Sequence, residues 1–186
     1  MKGGGLAIFF NNDLHISWKI RSDLSLKDCR EMESLFVQIS HSDLSLKDVI
    51  VGAIYHPPNT DYNLFHNNFS SVLTQINLER RSTYLLGDFN IDLLKYGTDS
   101  RAFEFLNNLL TNGFYPKIDK PTRLTDTTAT LIDNIFVNVH CDSMISGPWL
   151  TDISDHLLIY TTLPYPHSNV KRKTEYITKR LYRGRP

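Results

Sequence analysis

Four short segments of this 186-residue chain carry polar side chains suited to phosphoester or metal chemistry, and each lies at the end of, or inside, an apolar run. Tyr55 closes VIVGAIY, and Pro57 and Pro58 then force an extended turn that carries His56 and Asn59. A phenol there can donate into a site, although a Tyr ending a strand more often only packs. After TYLL, Gly87 leads to Asp88 and Asn90, two residues apart. If the backbone stays extended, both project to one side, where a carboxylate and an amide can orient and deprotonate a water. The other reading of that tetrapeptide is an Asx turn closing the strand. In TLIDNIFV, Asp133 is the single charge within an apolar run. A buried carboxylate left unpaired is costly, so Asp133 requires a cation or hydrogen-bond donors. Ser154, Asp155 and His156 open LLIYTTL, and an imidazole at a strand mouth near a buried Asp has its tautomer and charge set by that neighbour.

The elements that must position these groups can be read from periodicity. Branched and aromatic runs bounded by turn formers predict strands at Leu6 to Phe10, His15 to Ile20, Leu35 to Ser40, Val49 to Tyr55, Thr83 to Leu86, Leu131 to Val137 and Leu157 to Leu163. Helical spacing of Leu64, Phe65, Phe69, Val72, Leu73 and Ile76 predicts a helix between Asp61 and Leu78, with Asp61 as its N-cap. A second helix is predicted from about Ser100 to Asn112, its apolar face formed by Phe103, Leu106, Leu109 and Leu110, with Gly113 in the left-handed position just beyond. Strands before, between and after helices without regular βαβ alternation predict an α/β chain in which two mixed sheets pack together under flanking helices. The heptapeptide SDLSLKD occurs at Ser22 to Asp28 and again at Ser42 to Asp48, too few copies for a solenoid and best read as a loop duplication.

Composition bounds the possibilities. With 41% apolar residues, 22% charged residues and two cysteines, the chain can bury a core without disulfides or a structural metal, which excludes a stapled miniprotein, a collagen-like fibre and a disordered chain. Cys29 and Cys141 lack zinc-site spacing, and two thiols suit a reducing compartment. The longest apolar stretch, Val49 to Tyr55, falls far short of the roughly 20 residues a membrane span needs. Met1 and Lys2 lead straight into glycines, so no signal peptide is expected. The zero net charge is unevenly spread: residues 164–186 carry +6 and residues 1–163 carry −6. A domain at 1–163 followed by a basic linker or tail at 164–186 is expected, the tail a solvated segment or a nucleic-acid contact. The acidic body does not suit indiscriminate phosphate binding but does suit a cation.

Taken in order, Tyr55 with Asn59, Asp88 with Asn90, Asp133, and Asp155 with His156 resemble the motif series of the endonuclease/exonuclease/phosphatase family, the DNase I-like metal-dependent phosphodiesterases. GGGLAIFF, MESLFVQI, AIYHPPN, LLGDFNIDL and SDHLLI are most similar to the endonuclease domain of non-LTR, LINE-type retrotransposons, over about residues 3–163. The resemblance implies a DNase I-like four-layer α/β sandwich with its site where loops of both sheets meet. It also implies that Asp88 orients the attacking water, that Asn90 helps hold water and phosphate, and that His156, supported by Asp133, binds the phosphoryl oxygens. Tyr55 would donate to the phosphate, Asn59 would contact substrate, Asp155 would lie beside the metal, and Mg²⁺ is the implied cofactor. AIYHPPN departs by one residue from the family's tighter spacing. DNA is the implied partner, with no membrane; the reverse transcriptase domain of a parent element is not in this sequence, and nothing in it specifies an oligomeric state.

The family also places an Asn and a metal-binding Glu upstream of the glycine-rich segment, and this sequence begins with Met1 just before Gly3. The expectation is therefore a domain lacking its first strands, with Mg²⁺ affinity and turnover steeply reduced. Glu33 stands ahead of SLFVQI and is a weak substitute. The competing expectation is an inactive element remnant acting at most as a protein- or DNA-binding module; a third keeps the fold but acts on another phosphoester. An intracellular location is expected, nuclear if the domain acts on chromatin.

Overall fold

Ten strands and two helices follow one another in the described residues: β1 (Ile16–Ile20), β2 (Glu33–His41), β3 (Val49–Tyr55), α1 (Tyr62–Glu79), β4 (Ser82–Asp88), α2 (Ser100–Thr111), β5 (Tyr115–Pro116), β6 (Arg123–Leu124), β7 (Ala129–Thr130), β8 (Asp133–Val137), β9 (Ser146–Trp149) and β10 (Leu158–Thr161). They come from a computed structural model that describes residues 5–11, 16–26, 29–41, 48–140, 142–151 and 153–162. The basic tail, Cys141, His15 and most of the second SDLSLKD copy lie outside those residues.

Six strands form one mixed sheet in the order β1-β2-β3-β4-β8-β5, while β9 pairs with β10 and β6 with β7 in two small antiparallel sheets. β3 and β4 are the parallel pair, because α1 carries the chain back across the sheet between them. Asp61 starts α1 as expected, its carboxylate accepting the N–H groups of Asn63 at 2.8 Å and Leu64 at 3.2 Å. Asp99 does the same for α2 by accepting the Arg101 N–H at 2.8 Å. Gly113, with φ 77°, turns the chain out of α2 in a conformation a side chain rarely tolerates.

Strict alternation in β3, β4 and β8 divides the core in two. Ile50, Ile54, Leu85 and Phe136 face the helices, where Phe65, Phe69, Phe89, Phe105 and Phe136 interlock with ring centroids 5.2–6.1 Å apart. Val49, Tyr84, Leu86, Ile135 and Val137 face the other way and pack with Ile159 of the β9–β10 hairpin. The result is an α/β arrangement of helices, large sheet and small sheet, with the ends of β3, β4 and β8 in register: Tyr55 opposite Asp88, and Asp88 opposite Asp133. Directly paired residues project from the same face, so these three side chains share the face away from the helices.

Several sequence expectations are corrected. Leu6–Phe10 forms no strand: no described strand pairs with it, Phe9 is almost fully exposed, and Phe10 stacks on Trp18. The buried face of α2 is Ala102, Phe105 and Leu109, with Leu106 partly buried. Phe103 and Leu110 turn outward, because α2 docks through Phe105 onto the aromatic cluster. Strands β5, β6, β7 and β9 were not anticipated; they are two to four residues long, and Pro116 and Pro148 interrupt their patterning.

Gly87 is a packing requirement rather than a flexible joint. A Cβ built there would lie 1.7 Å from the carbonyl oxygen of Ile54 in β3, whereas one at Gly97 meets nothing within 4 Å. Gly87→Ala is expected to cost about 1–3 kcal/mol or more, and Gly97→Ala less than about 0.5 kcal/mol, in thermal or denaturant unfolding. Equal stability of the two variants would contradict the close approach of β3 and β4.

Candidate active site

Asp88 is the last residue of β4, half-buried, and lines a groove of about 490 Å³ together with Tyr55, Leu86, Gly87, Asp133 and Ile159. Burial pushes its carboxyl up to about 6; the Asn90 N–H works against that shift, Asp133 adds to it, and His156 and Arg123 oppose it. The Asn90 N–H donates to Asp88 Oδ1 at 3.0 Å, and Asn90 has φ 48°. Of the two readings of this tetrapeptide, the structure shows the Asx turn and not the extended backbone. Its cause is local: the left-handed residue lets the Asn90 amide N–H fold back on Asp88, while the Asn90 side-chain Nδ2 donates to the His56 carbonyl at 2.8 Å.

Asp133 opens β8 directly across from Asp88, and both of its oxygens lie close to His156 Nδ1, at 3.2 and 3.1 Å. With Nδ1–H donating to the carboxylate, Nε2 is the ring nitrogen left for another partner. One oxygen each from Asp88 and Asp133 and one nitrogen of His156 lie within 4.8 Å of one another. Two hard oxygen donors and an imidazole at that spacing fit a divalent metal ion.

Thr122 and Arg123, which the sequence reading did not single out, hold this trio together. Fully buried Thr122 accepts on Oγ1 from the N–H groups of Ile132 at 3.3 Å and Asp133 at 3.0 Å, and its carbonyl accepts the Leu157 N–H at 2.7 Å. One residue thus fixes the backbone at both Asp133 and the residue after His156. Arg123 forms a β-bridge with His156, and its Nε donates to Asp155 Oδ2 at 2.7 Å. Asp155, expected beside the metal, is exposed, lies outside the trio and is held by Arg123, which keeps its carboxyl below the usual range. The only sequence signal for this device is the PTR triplet upstream of TLIDNIFV.

Tyr55 lies in the row of strand ends and lines the groove. Asn59, exposed with φ 62°, does not join them: it lines a neighbouring pocket of about 360 Å³ with His56, Asn90, Asp92, Lys95 and Arg101. Glu33 is paired with Tyr55 in register and accepts the Gly5 N–H at 2.8 Å. Buried His56 is a strut, its Nδ1 bonded to the Phe89 carbonyl at 2.7 Å and its ring stacked on Phe65 at 3.9 Å; burial pushes its pKa down.

Thr122→Val deprives two buried N–H groups of their acceptor and is expected to cost about 1–3 kcal/mol, while Thr122→Ser retains most of the stability; urea unfolding separates them, and equal losses would assign the effect to packing. Asp88 holds its proton more tightly in the folded than in the unfolded chain, so its ionisation costs stability as pH rises. That cost is absent below 3.8, grows between 3.8 and about 6, and is complete above it. In chelator, Asp88→Asn should therefore melt above the parent protein at neutral pH and level with it below 3.8; a difference independent of pH would contradict the raised carboxyl.

Comparison with known proteins places this geometry in a family. The model of the endonuclease-reverse transcriptase family matches residues 49–160, more than half of the chain and all of the trio. Among solved structures, the endonuclease domain of TRAS1, a telomere-specific non-LTR retrotransposon, superposes with a TM-score of 0.65 at 16% identity, over 85% of this chain and 72% of that one. An endonuclease/exonuclease/phosphatase family protein from Leptotrichia buccalis C-1013-b gives 0.53 at 18% identity, over 71% of this chain and 54% of that one. The 3′ phosphatase NExo from Neisseria, bound to product DNA hairpin, gives 0.52 at 16% identity, over 81% and 70%. No curated protein matches the chain. The structural likenesses establish the fold and the sequence match establishes membership: this chain belongs to the endonuclease-reverse transcriptase family, on a DNase I-like α/β fold.

Proposed function

We propose that this domain is a Mg²⁺-dependent phosphodiesterase that nicks DNA in the manner of a non-LTR retrotransposon endonuclease. The observation that carries the reading is the convergence of Asp88, Asp133 and His156 within 4.8 Å, from three separate segments, with the two carboxylates lining an open groove. The retrotransposon endonuclease and the DNA-bound 3′ phosphatase among its structural relatives favour a nucleic-acid phosphoester over other substrates.

Asp88 and Asp133 offer the oxygen donors for Mg²⁺, which when bound neutralises phosphoryl charge and stabilises the leaving oxygen. Asp88, with one oxygen fixed by the Asn90 N–H, orients the attacking water and accepts its proton once ionised. The water oxygen bonds to phosphorus as the P–O3′ bond breaks, and the departing O3′ takes a proton from solvent, leaving a 5′ phosphate and a 3′ hydroxyl that a reverse transcriptase can extend. Asp133 fixes the His156 ring through Nδ1, so that Nε2 is presented to the phosphoryl oxygens. The Tyr55 phenol donates to the same phosphate from the adjacent strand end, and Asn59, in the neighbouring pocket, borders the flanking nucleotide.

Nicking of supercoiled plasmid tests the assignment. The chain should nick with Mg²⁺ and stop in chelator, and His156→Ala should slow nicking about 10²–10⁴-fold. Equal nicking by both proteins would contradict catalysis by this site. DNA binding without metal-dependent nicking would identify a binding module instead.

A further inference from the structure

We propose that Arg123 is a phosphate anchor of this site, a cation that grips the nucleic-acid backbone without needing the metal ion. The inference rests on the phosphodiesterase reading and adds to that site a fixed positive charge, which His156, Tyr55 and Asn59 do not supply. Asp88 and Asp133 line the groove and Asp155 adjoins His156 in the chain, so a phosphate approaching these carboxylates without metal is repelled. Arg123 is placed to offset this. Its β-bridge with His156 sets it beside the imidazole, and its positive charge is felt at Asp88. A guanidinium stays charged at every physiological pH.

The donor arrangement suits a phosphate. Nε of Arg123 is engaged by Asp155 Oδ2 at 2.7 Å, which orients the guanidinium and leaves the Nη edge as a fork for phosphate oxygens. Both partners stand in solvent, with side chains 43% and 44% exposed. An ion pair that exposed contributes little to stability, so holding the loop does not by itself account for it. Asp155 acts as the internal counter-ion that the phosphate displaces or shares.

Binding of a short DNA duplex, followed by fluorescence anisotropy in chelator across a salt series, tests this with the full chain. Arg123→Gln should weaken binding about 5–10-fold and reduce the salt slope by about 1. Arg123→Lys should recover part of the affinity, and Asp155→Asn, which frees the guanidinium, should tighten binding. If the parent protein binds and nicks while Arg123→Gln matches it in affinity and slope, the anchor is refuted and the phosphodiesterase reading stands. If Arg123→Gln and Asp155→Asn lose binding and melting temperature together, the pair is structural and the anchor is likewise refuted. If the parent protein neither binds nor nicks DNA, both readings fall.

Discussion

Two carboxylates face each other directly across a β-ladder, Asp88 at the end of β4 and Asp133 at the start of β8, and the surrounding structure is organised around that pairing. Like charges in that relation repel, and a sheet whose only task was to be stable would avoid them. Here the repulsion is met from three sides. The Asn90 N–H holds Asp88, the His156 imidazole spans both oxygens of Asp133, and the Arg123 charge reaches Asp88 from the strand beside His156. Burial nevertheless holds the Asp88 carboxyl up at about 6, with Asp133 adding to the shift. A half-buried carboxylate pair that costs the sheet stability is the kind of arrangement found at functional sites.

The frame makes this arrangement possible by giving its two faces different tasks. The aromatic layer beneath α1 and α2 supplies cohesion. The opposite face is then free to carry polar groups at its strand ends. Register does the rest: Glu33, Tyr55, Asp88 and Asp133 form a single row across β2, β3, β4 and β8. Gly87 lets β3 and β4 approach closely just before the row, and Thr122 ties β8 to the segment that bears His156. Neither residue belongs to the trio, yet both set where its side chains stand.

How much of this could be read from the chain follows from the range of each interaction. The N-cap at Asp61, the alternation of β3 and the left-handed Gly113 are decided within a few residues, and all are where the sequence puts them. Asp88, Asp133 and His156 were legible as types, since a lone charge in an apolar run demands an explanation. Their convergence is long-range and was supplied by resemblance. Thr122 and Arg123 were invisible, because their partners lie about ten and thirty residues away and neither residue is unusual in a loop. The outward rotation of Phe103 was misread for a related reason: helical spacing identifies apolar positions, but the partner surface, here Phe65, Phe69 and Phe136, decides which of them are covered.

The central claim is that Asp88 and Asp133 hold a cation beside the His156 imidazole. Paramagnetic broadening by substoichiometric Mn²⁺, read on the imidazole resonances of isotopically labelled protein, tests it most directly. The account predicts that the His156 signals vanish first, ahead of those of buried His56 and of His140, which lies beside Asp142 at the surface. Broadening that begins at His140, or that spreads evenly over all the imidazoles, would contradict it.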